Sequence, residues 1–177
     1  MGTAPHQPAS HESSDVTLDP AAKRTVLRQF TYGLYAVSAH HAGERGIFTA
    51  NWLSQASFDP PLVMVSIERD SWTLGLIRQS ERFVVSTFAA GQRELAGALG
   101  KPRSRAGDKF AALGLSVVET ATGDYALADA LGYVVCRVLS ETPAGDSVVL
   151  IGEVIEARVL NEGEPLTMRD AGFRHAG

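Results

Sequence analysis

The stretch Phe48–Pro61, FTANWLSQASFDPP, decides how the rest of the chain is read. By propensity it is a strand that stops at two prolines. Yet Thr49, Asn51, Ser54, Gln55 and Ser57 crowd into it. On a strand, Thr49 and Asn51 share one face, and Phe48 and Ala50 the other. Ser54 and Gln55 are consecutive, so both face one side only if the strand bulges or turns near Trp52. Small side chains let a flat ligand approach the backbone, while hydroxyls and amides serve its polar edge. That is the make-up of a cofactor cleft rather than of a plain core strand.

Working outward, Asp59-Pro60-Pro61 ends the strand and fixes a turn. LVMVSI (62–67) follows, a continuous apolar run that suits a strand buried on both faces. Next comes ERDSWT (68–73). Arg69 offers charge, and Ser71 and Thr73 offer hydroxyls. A helix capped by Asp70 or Ser71 and ending near Ser80 offers the free N–H groups of its first turn. Together they make a phosphate site. A ring pocket followed by a phosphate pocket outlines a mononucleotide.

Residues 1–19 are polar and read as a disordered or loosely packed arm, with 20–177 as one domain. Asp19-Pro20 starts a helix running to about Phe30, with Val26, Leu27 and Phe30 on one stripe. Gly33–Ala39 is a strand and HHAGERG (40–46) a loop. RFVVSTF (82–88) is a strand and GQRELAGALG (91–100) a short helix. KPRSRAGDKFAALG (101–114) is basic and loop-like, with one helical turn at Lys109–Leu113. LSVVET, YALADALGYVVCRVLSET and DSVVLIGEVIEARVL supply the remaining strands, with TPAGDS (142–147) as the last hairpin connection. The tally is about seven strands and three short helices. Their hairpin-like order lacks the regular βα alternation of a doubly wound sheet. The expected fold is mainly β: a small antiparallel barrel with helices at its rim. The long apolar final strands are the expected dimerisation surface.

Hydrophobic residues make up 45% of the 177, which is enough for a core, and the net charge of −4 argues against a general nucleic-acid binder. No apolar run approaches a membrane span. The lone Cys136 permits no intrachain disulfide and points to a reducing, cytoplasmic setting; alternating with Val135 and Arg137, it reads as a buried small residue. No metal is expected. His40 and His41 are adjacent, so one ion does not easily take both, and His6 and His11 lie in the arm.

The series Thr49-Ala50-Asn51, Ser54, Ser57, Asp59-Pro60-Pro61-Leu62-Val63, Arg69-Asp70-Ser71 and Thr73 resembles the flavin reductase-like family, which has the FMN-binding split-barrel fold. The match continues through Ile77-Arg78, Ser80, Arg82-Phe83-Val84-Val85 and Gly107-Asp108-Lys109-Phe110. It ends in Gly163, Pro165-Leu166 and Gly172-Phe173-Arg174-His175, so it covers roughly Lys23 onward. The resemblance implies an antiparallel split β-barrel that forms a homodimer with flavin near the interface. It implies hydride transfer from NADH or NADPH to FMN or FAD, and often a partner monooxygenase that receives the reduced flavin.

Carried over by position, Thr49, Ala50, Asn51 and Trp52 would lie along the flavin. Ser54, Gln55, Ala56 and Ser57 would reach the ring edge, largely through backbone groups. Arg69, Ser71 and Thr73, with Lys109, would hold the phosphate, and His175 would sit near the nicotinamide or the flavin ring of the facing subunit. No catalytic acid, base or nucleophile is expected, because hydride transfer between stacked rings needs positioning rather than proton chemistry. Two departures stand out: Trp52 where many relatives carry Ser, and Gly46 three residues before Thr49 rather than two. Trp52 favours a rival reading, a flavin-binding or electron-transfer module without turnover. Haem or deazaflavin on the same fold is a third, for which the chain offers no persuasive axial ligand.

Overall fold

The computed structural model describes residues 17–174. The expected arm, apart from Thr17–Asp19, and His175 therefore lie outside the described residues. Two units are distinguished, one of them Thr31–Arg174. The other contributes, among described residues, helix α1 (Pro20–Leu27). Its cap is the expected one: Asp19 Oδ1 accepts from the N–H groups of Ala21 (2.8 Å) and Ala22 (3.2 Å). The helix stops short of Phe30. From Gln29 the amides donate to the i−3 carbonyls of Val26 and Leu27, a tightened turn that ends α-helical winding.

Thr31–Arg174 is built from strands β1 (Tyr35–His41), β2 (Glu44–Ala50), β3 (Leu53–Ser57), β4 (Leu62–Glu68), β5 (Arg82–Thr87), β6 (Val117–Glu119), β7 (Tyr125–Leu127), β8 (Gly132–Ala144) and β9 (Ser147–Val159). Helices α2 (Trp72–Ser80), α3 (Arg93–Leu99), α4 (Arg103–Ala106), α5 (Lys109–Ala112) and α6 (Met168–Ala171) are interspersed. Seven strands form one antiparallel sheet in the order β2-β1-β5-β8-β9-β4-β3, and β6 and β7 form a separate hairpin. The fold is mainly β, as expected, with more elements than the tally of seven strands and three helices. The run at 125–142 breaks into β7 and β8 because Asn161 Nδ2 donates to the carbonyls of Ala128 and Ala130, holding that segment out of the sheet.

Two connections are tighter than the sequence indicated. HHAGERG shrinks to a two-residue turn at Ala42 (φ 49°) and Gly43 (φ 84°), whose positive dihedrals match the twist of a hairpin. TPAGDS shrinks as well, since β8 runs to Ala144 and includes Pro143. Pro143 lies beyond Arg137, where the pairing with β5 ends, so that side of the strand needs no N–H from it.

The main core draws on α2 and on all of β1, β2, β4, β5, β8 and β9: Val37, Ala50, Val65, Leu74, Ile77, Phe83, Cys136 and Leu150 belong to it. A second cluster packs α3, α5 and α6 around Ala36, Ile47 and Phe88, and a third sets the β6–β7 hairpin against Val84 and Val135. Cys136 is fully buried, and burial pushes its thiol up to about 12, so it packs as the small apolar residue expected.

Candidate functional site

The opening stretch folds as a strand, a bend and an edge strand. β2 ends at Ala50, the chain bends at Asn51-Trp52, and β3 begins at Leu53 on the edge of the sheet. The register slips between Gln55 and Ser57, leaving Ala56 as an extra residue against β4. The expected turn near Trp52 is present, whereas the bulge falls later, at Ala56, so Ser54 and Gln55 keep consecutive places in the ladder and point to opposite faces of β3. Ser54, Gln55 and Ala56 are exposed and Ser57 is half-buried.

The predicted site residues divide by what already engages them. Thr49 donates its hydroxyl to the Ala96 carbonyl of α3 at 2.6 Å, and Ala50 is buried in the main core. Their side chains serve the fold, and both residues pair with β1 through the backbone ladder. Ser54 Oγ donates to its neighbour's carbonyl (3.1 Å), and Gln55 Nε2 donates to the Ser57 carbonyl (3.2 Å), so both polar tips bend back onto the edge strand. Asn51 differs. Its Nδ2 is buried and lacks a hydrogen-bond partner. An orphaned buried donor costs about 1–3 kcal/mol unless an acceptor arrives. Beside it, Trp52 is 38% exposed.

The second segment assembles around the start of α2. Ser71 is the N-cap residue, in extended conformation, and its side chain makes no capping hydrogen bond. Arg69 is exposed, with Nε donating to the Ser147 carbonyl at 3.4 Å. Thr73 is buried because α2 packs tightly on β2 at Gly46, where a Cβ would stand 2.6 Å from Thr73 Oγ1. Gly46, noted in the sequence only for its offset from Thr49, is thus the residue that lets α2 approach the sheet.

Lys109 is committed elsewhere. It is 7% exposed, and its ammonium donates to the carbonyls of Ile47 in β2 and Leu99 at the end of α3. Burial, and then the positive charge of Arg103, hold it below the ordinary lysine range. A lysine with a depressed folded pKa binds fewer protons folded than unfolded as pH approaches its unfolded value, so its contribution rises with pH there. The neutral amine still has two N–H groups for the two carbonyls. The stability difference between wild type and Lys109→Met is therefore expected to grow from neutral pH toward about pH 10.4, the unfolded lysine value. Urea unfolding of both proteins at several pH values checks it; a difference that shrinks with pH contradicts this account.

Sequence reasoning missed a cleft of about 540 Å³ lined by His40, Gly43, Glu44, Arg45, Arg103, Asp108 and Tyr125. Asp108 accepts from Arg45 (3.1 Å) and caps α5 through the Phe110 N–H (3.0 Å). Burial raises its carboxyl, but those two bonds, the Arg45 charge and the Ala111 N–H together hold it below the usual range. The signal available in the sequence was the density of cations in KPRSRAGDK (101–109), whose partners lie about sixty residues away in β2.

Known proteins resemble this chain in sequence and in fold. Residues 27–177 match the family model described as flavin reductase like domain. The chain is 30% identical over 158 residues to the reductase component of 4-nitrophenol 4-monooxygenase/4-nitrocatechol 2-monooxygenase of Rhodococcus opacus, covering 89% of this chain and 82% of that one. It is 32% identical over 142 residues to the high molecular weight rubredoxin of Moorella thermoacetica, covering 80% of this chain but only 62% of that protein's length. Among solved structures, nitrilotriacetate monooxygenase component B from Mycobacterium thermoresistibile superposes with a TM-score of 0.74 at 28% identity, covering 83% of this chain and 80% of that one.

Proposed function

The chain belongs to the flavin reductase like domain family, and from that premise we propose that it transfers hydride from NADH or NADPH to FMN or FAD. The observation that carries the reading is the orphaned amide of Asn51, a buried donor in want of an acceptor at the bend between β2 and the exposed polar strand β3. A flavin edge, rich in carbonyl and ring-nitrogen acceptors, fits it. When bound, flavin supplies a two-electron acceptor for the nicotinamide hydride.

The chain's own contribution is binding, orientation and exclusion of water. Asn51 orients the ring, the backbone of Thr49, Ala50, Trp52 and Ser54–Ser57 borders it, and Arg69, Ser71 and Thr73 take the phosphate. Lys109 contributes a remaining N–H at most, since two carbonyls already engage it. His175 is assigned to the nicotinamide by position alone.

The fold is read as an antiparallel split barrel. Ala50 from one end of the strand order shares a core with Val65 and Ile67 near the other. The protein is read as a homodimer through β4, β8 and β9, where Met64, Leu139 and Ile155 are 38–49% exposed. A monooxygenase partner taking up reduced flavin follows from relatives that are reductase components. The single Cys136 suits a reducing, cytoplasmic setting. Among the described residues no helix is long and apolar enough to cross a membrane.

The test is a visible absorption spectrum of the purified protein with added FMN, before and after anaerobic NADH or NADPH. Perturbed flavin bands that bleach quickly are the expected result. Bands that shift without bleaching with either nucleotide favour the rival reading, a flavin module without turnover, for which half-exposed Trp52 at the site is the specific observation. Unperturbed bands overturn both.

A further inference from the structure

The cleft at the β1–β2 hairpin tip is assembled from segments that the reading above leaves unused. His40, Gly43, Glu44 and Arg45 come from the hairpin, Arg103 and Asp108 from α4 and the start of α5, and Tyr125 from β7. Its volume of about 540 Å³ lies in the range of small-molecule sites.

Two guanidiniums dominate it, and both are held flat. Arg45 lies 4.7 Å over the Phe110 ring and Arg103 lies 4.5 Å over the Trp72 ring. Each side chain keeps 36% exposure. Arg45 spends Nε and Nη2 on a single oxygen of Asp108. Arg103 reaches the Arg45 carbonyl only at 3.4 Å, and its contact with Glu44 is 3.9 Å, beyond hydrogen-bond length. A guanidinium has five N–H donors, so both retain donors for an anion, already oriented. Beyond the lining, the segment 101–109 also carries exposed Lys101 and Arg105, while Lys109 is buried on the carbonyls of Ile47 and Leu99. Within the lining these two guanidiniums face two carboxylates, Glu44 and Asp108, so the attraction for an anion lies in the unspent guanidinium donors rather than in a net positive field.

The wall is aromatic and anchored. His40 and Tyr125 meet edge to face with ring centroids 5.3 Å apart. Tyr125 is fixed on both sides. Its carbonyl accepts from Ser38 Oγ of β1 (2.7 Å), and neighbouring Asp124, 1% exposed, accepts from Arg82 Nε of β5 (2.9 Å). Such a ring stacks on a planar heterocycle at low entropic cost. The cleft also adjoins the start of α2, because Trp72, under the Arg103 guanidinium, is the first residue of that helix.

From these observations we propose that the cleft receives an adenosine 5′-diphosphate moiety, its phosphates on Arg45 and Arg103 and its adenine against Tyr125 and His40. This rests on the flavin reductase reading, in which two molecules carry that moiety: FAD and the nicotinamide dinucleotide. Bidentate guanidinium–phosphate contacts serve the pyrophosphate and ring stacking serves the base.

The test is calorimetric titration of the flavin-free protein with ADP. Wild type binds, and Arg103→Ala weakens ADP about tenfold; Arg103→Lys, which keeps the charge but loses the fork, falls between them. Tyr125→Leu weakens ADP while leaving inorganic pyrophosphate unaffected. Two further arms identify the source. A change in the ratio of FAD to FMN dissociation constants in Arg103→Ala assigns the moiety to the flavin. A raised KM for NADH or NADPH, with FMN as acceptor, assigns it to the nicotinamide dinucleotide. Absence of ADP binding by wild type, ADP binding indifferent to Arg103→Ala, or pyrophosphate competing as well as ADP overturns the proposal. Failure of the flavin reading is separate, because it shows as unperturbed FMN bands whatever ADP does.

Discussion

Arg69→Ala weakens FMN by about ten- to hundred-fold and leaves riboflavin, which has no phosphate, within about twofold. The expectation follows from the start of α2. The exposed Arg69 guanidinium has one long hydrogen bond to the Ser147 carbonyl, and the Ser71 side chain makes no cap bond that a ligand would have to break. A charge-assisted contact is worth about 1.5–3 kcal/mol, and each 1.4 kcal/mol is about a factor of ten in affinity. Thr73→Val is the milder companion, since Thr73 is buried and its Oγ1 is turned toward Gly46. Fluorescence-quenching titrations with FMN and riboflavin decide the matter. Equal losses for both ligands refute the phosphate assignment, because a general loss of structure does not distinguish them.

Phe83→Ala destabilises the fold by about 3–5 kcal/mol, the largest single effect expected outside the site. Phe83 is fully buried in the main core, and its ring occupies the space that Gly152 of the neighbouring core face leaves open. A Cβ at Gly152 would stand 2.7 Å from Phe83 Cε1 and Cζ and 2.9 Å from Cys136 Cβ. Gly152→Ala alone therefore overpacks the core and costs about 1–3 kcal/mol. The double variant Phe83→Ala/Gly152→Ala is expected to lose less than the sum, because the new methyl enters the space vacated by the ring. The residual clash with Cys136 prevents full compensation. Urea unfolding of the four proteins yields the coupling energy. Strict additivity contradicts the ring-over-glycine account.

These two predictions differ in how far the sequence alone reaches them. The start of α2 was legible because ERDSWT places cap residues just before a helical run, and the structure starts α2 immediately after Ser71; the phosphate role proposed for that segment rests on its hydroxyls and charge. The ring-over-glycine contact was not legible. Phe83 and Gly152 lie on β5 and β9, which are not neighbours in the sheet but meet across β8.

By itself the sequence determined the local features. The Asp19 cap, the stop at Asp59-Pro60-Pro61, the break between β2 and β3 and the single turn after Asp108 each depend on dihedral preference or a hydrogen bond within four residues. It also determined the family, through motifs whose order survives along the chain. Tertiary structure alone decided which polar groups are already engaged within the fold. Thr49 and Lys109 were candidates like Asn51, yet their donors go to Ala96, Ile47 and Leu99, forty-seven, sixty-two and ten residues away. It also brought Arg45, Arg103 and Tyr125 to one cleft from three separate segments. The physical reason is reach. Propensity and capping act within a turn or two, whereas a polar atom's partner is set by packing among segments whose pairing no local pattern specifies.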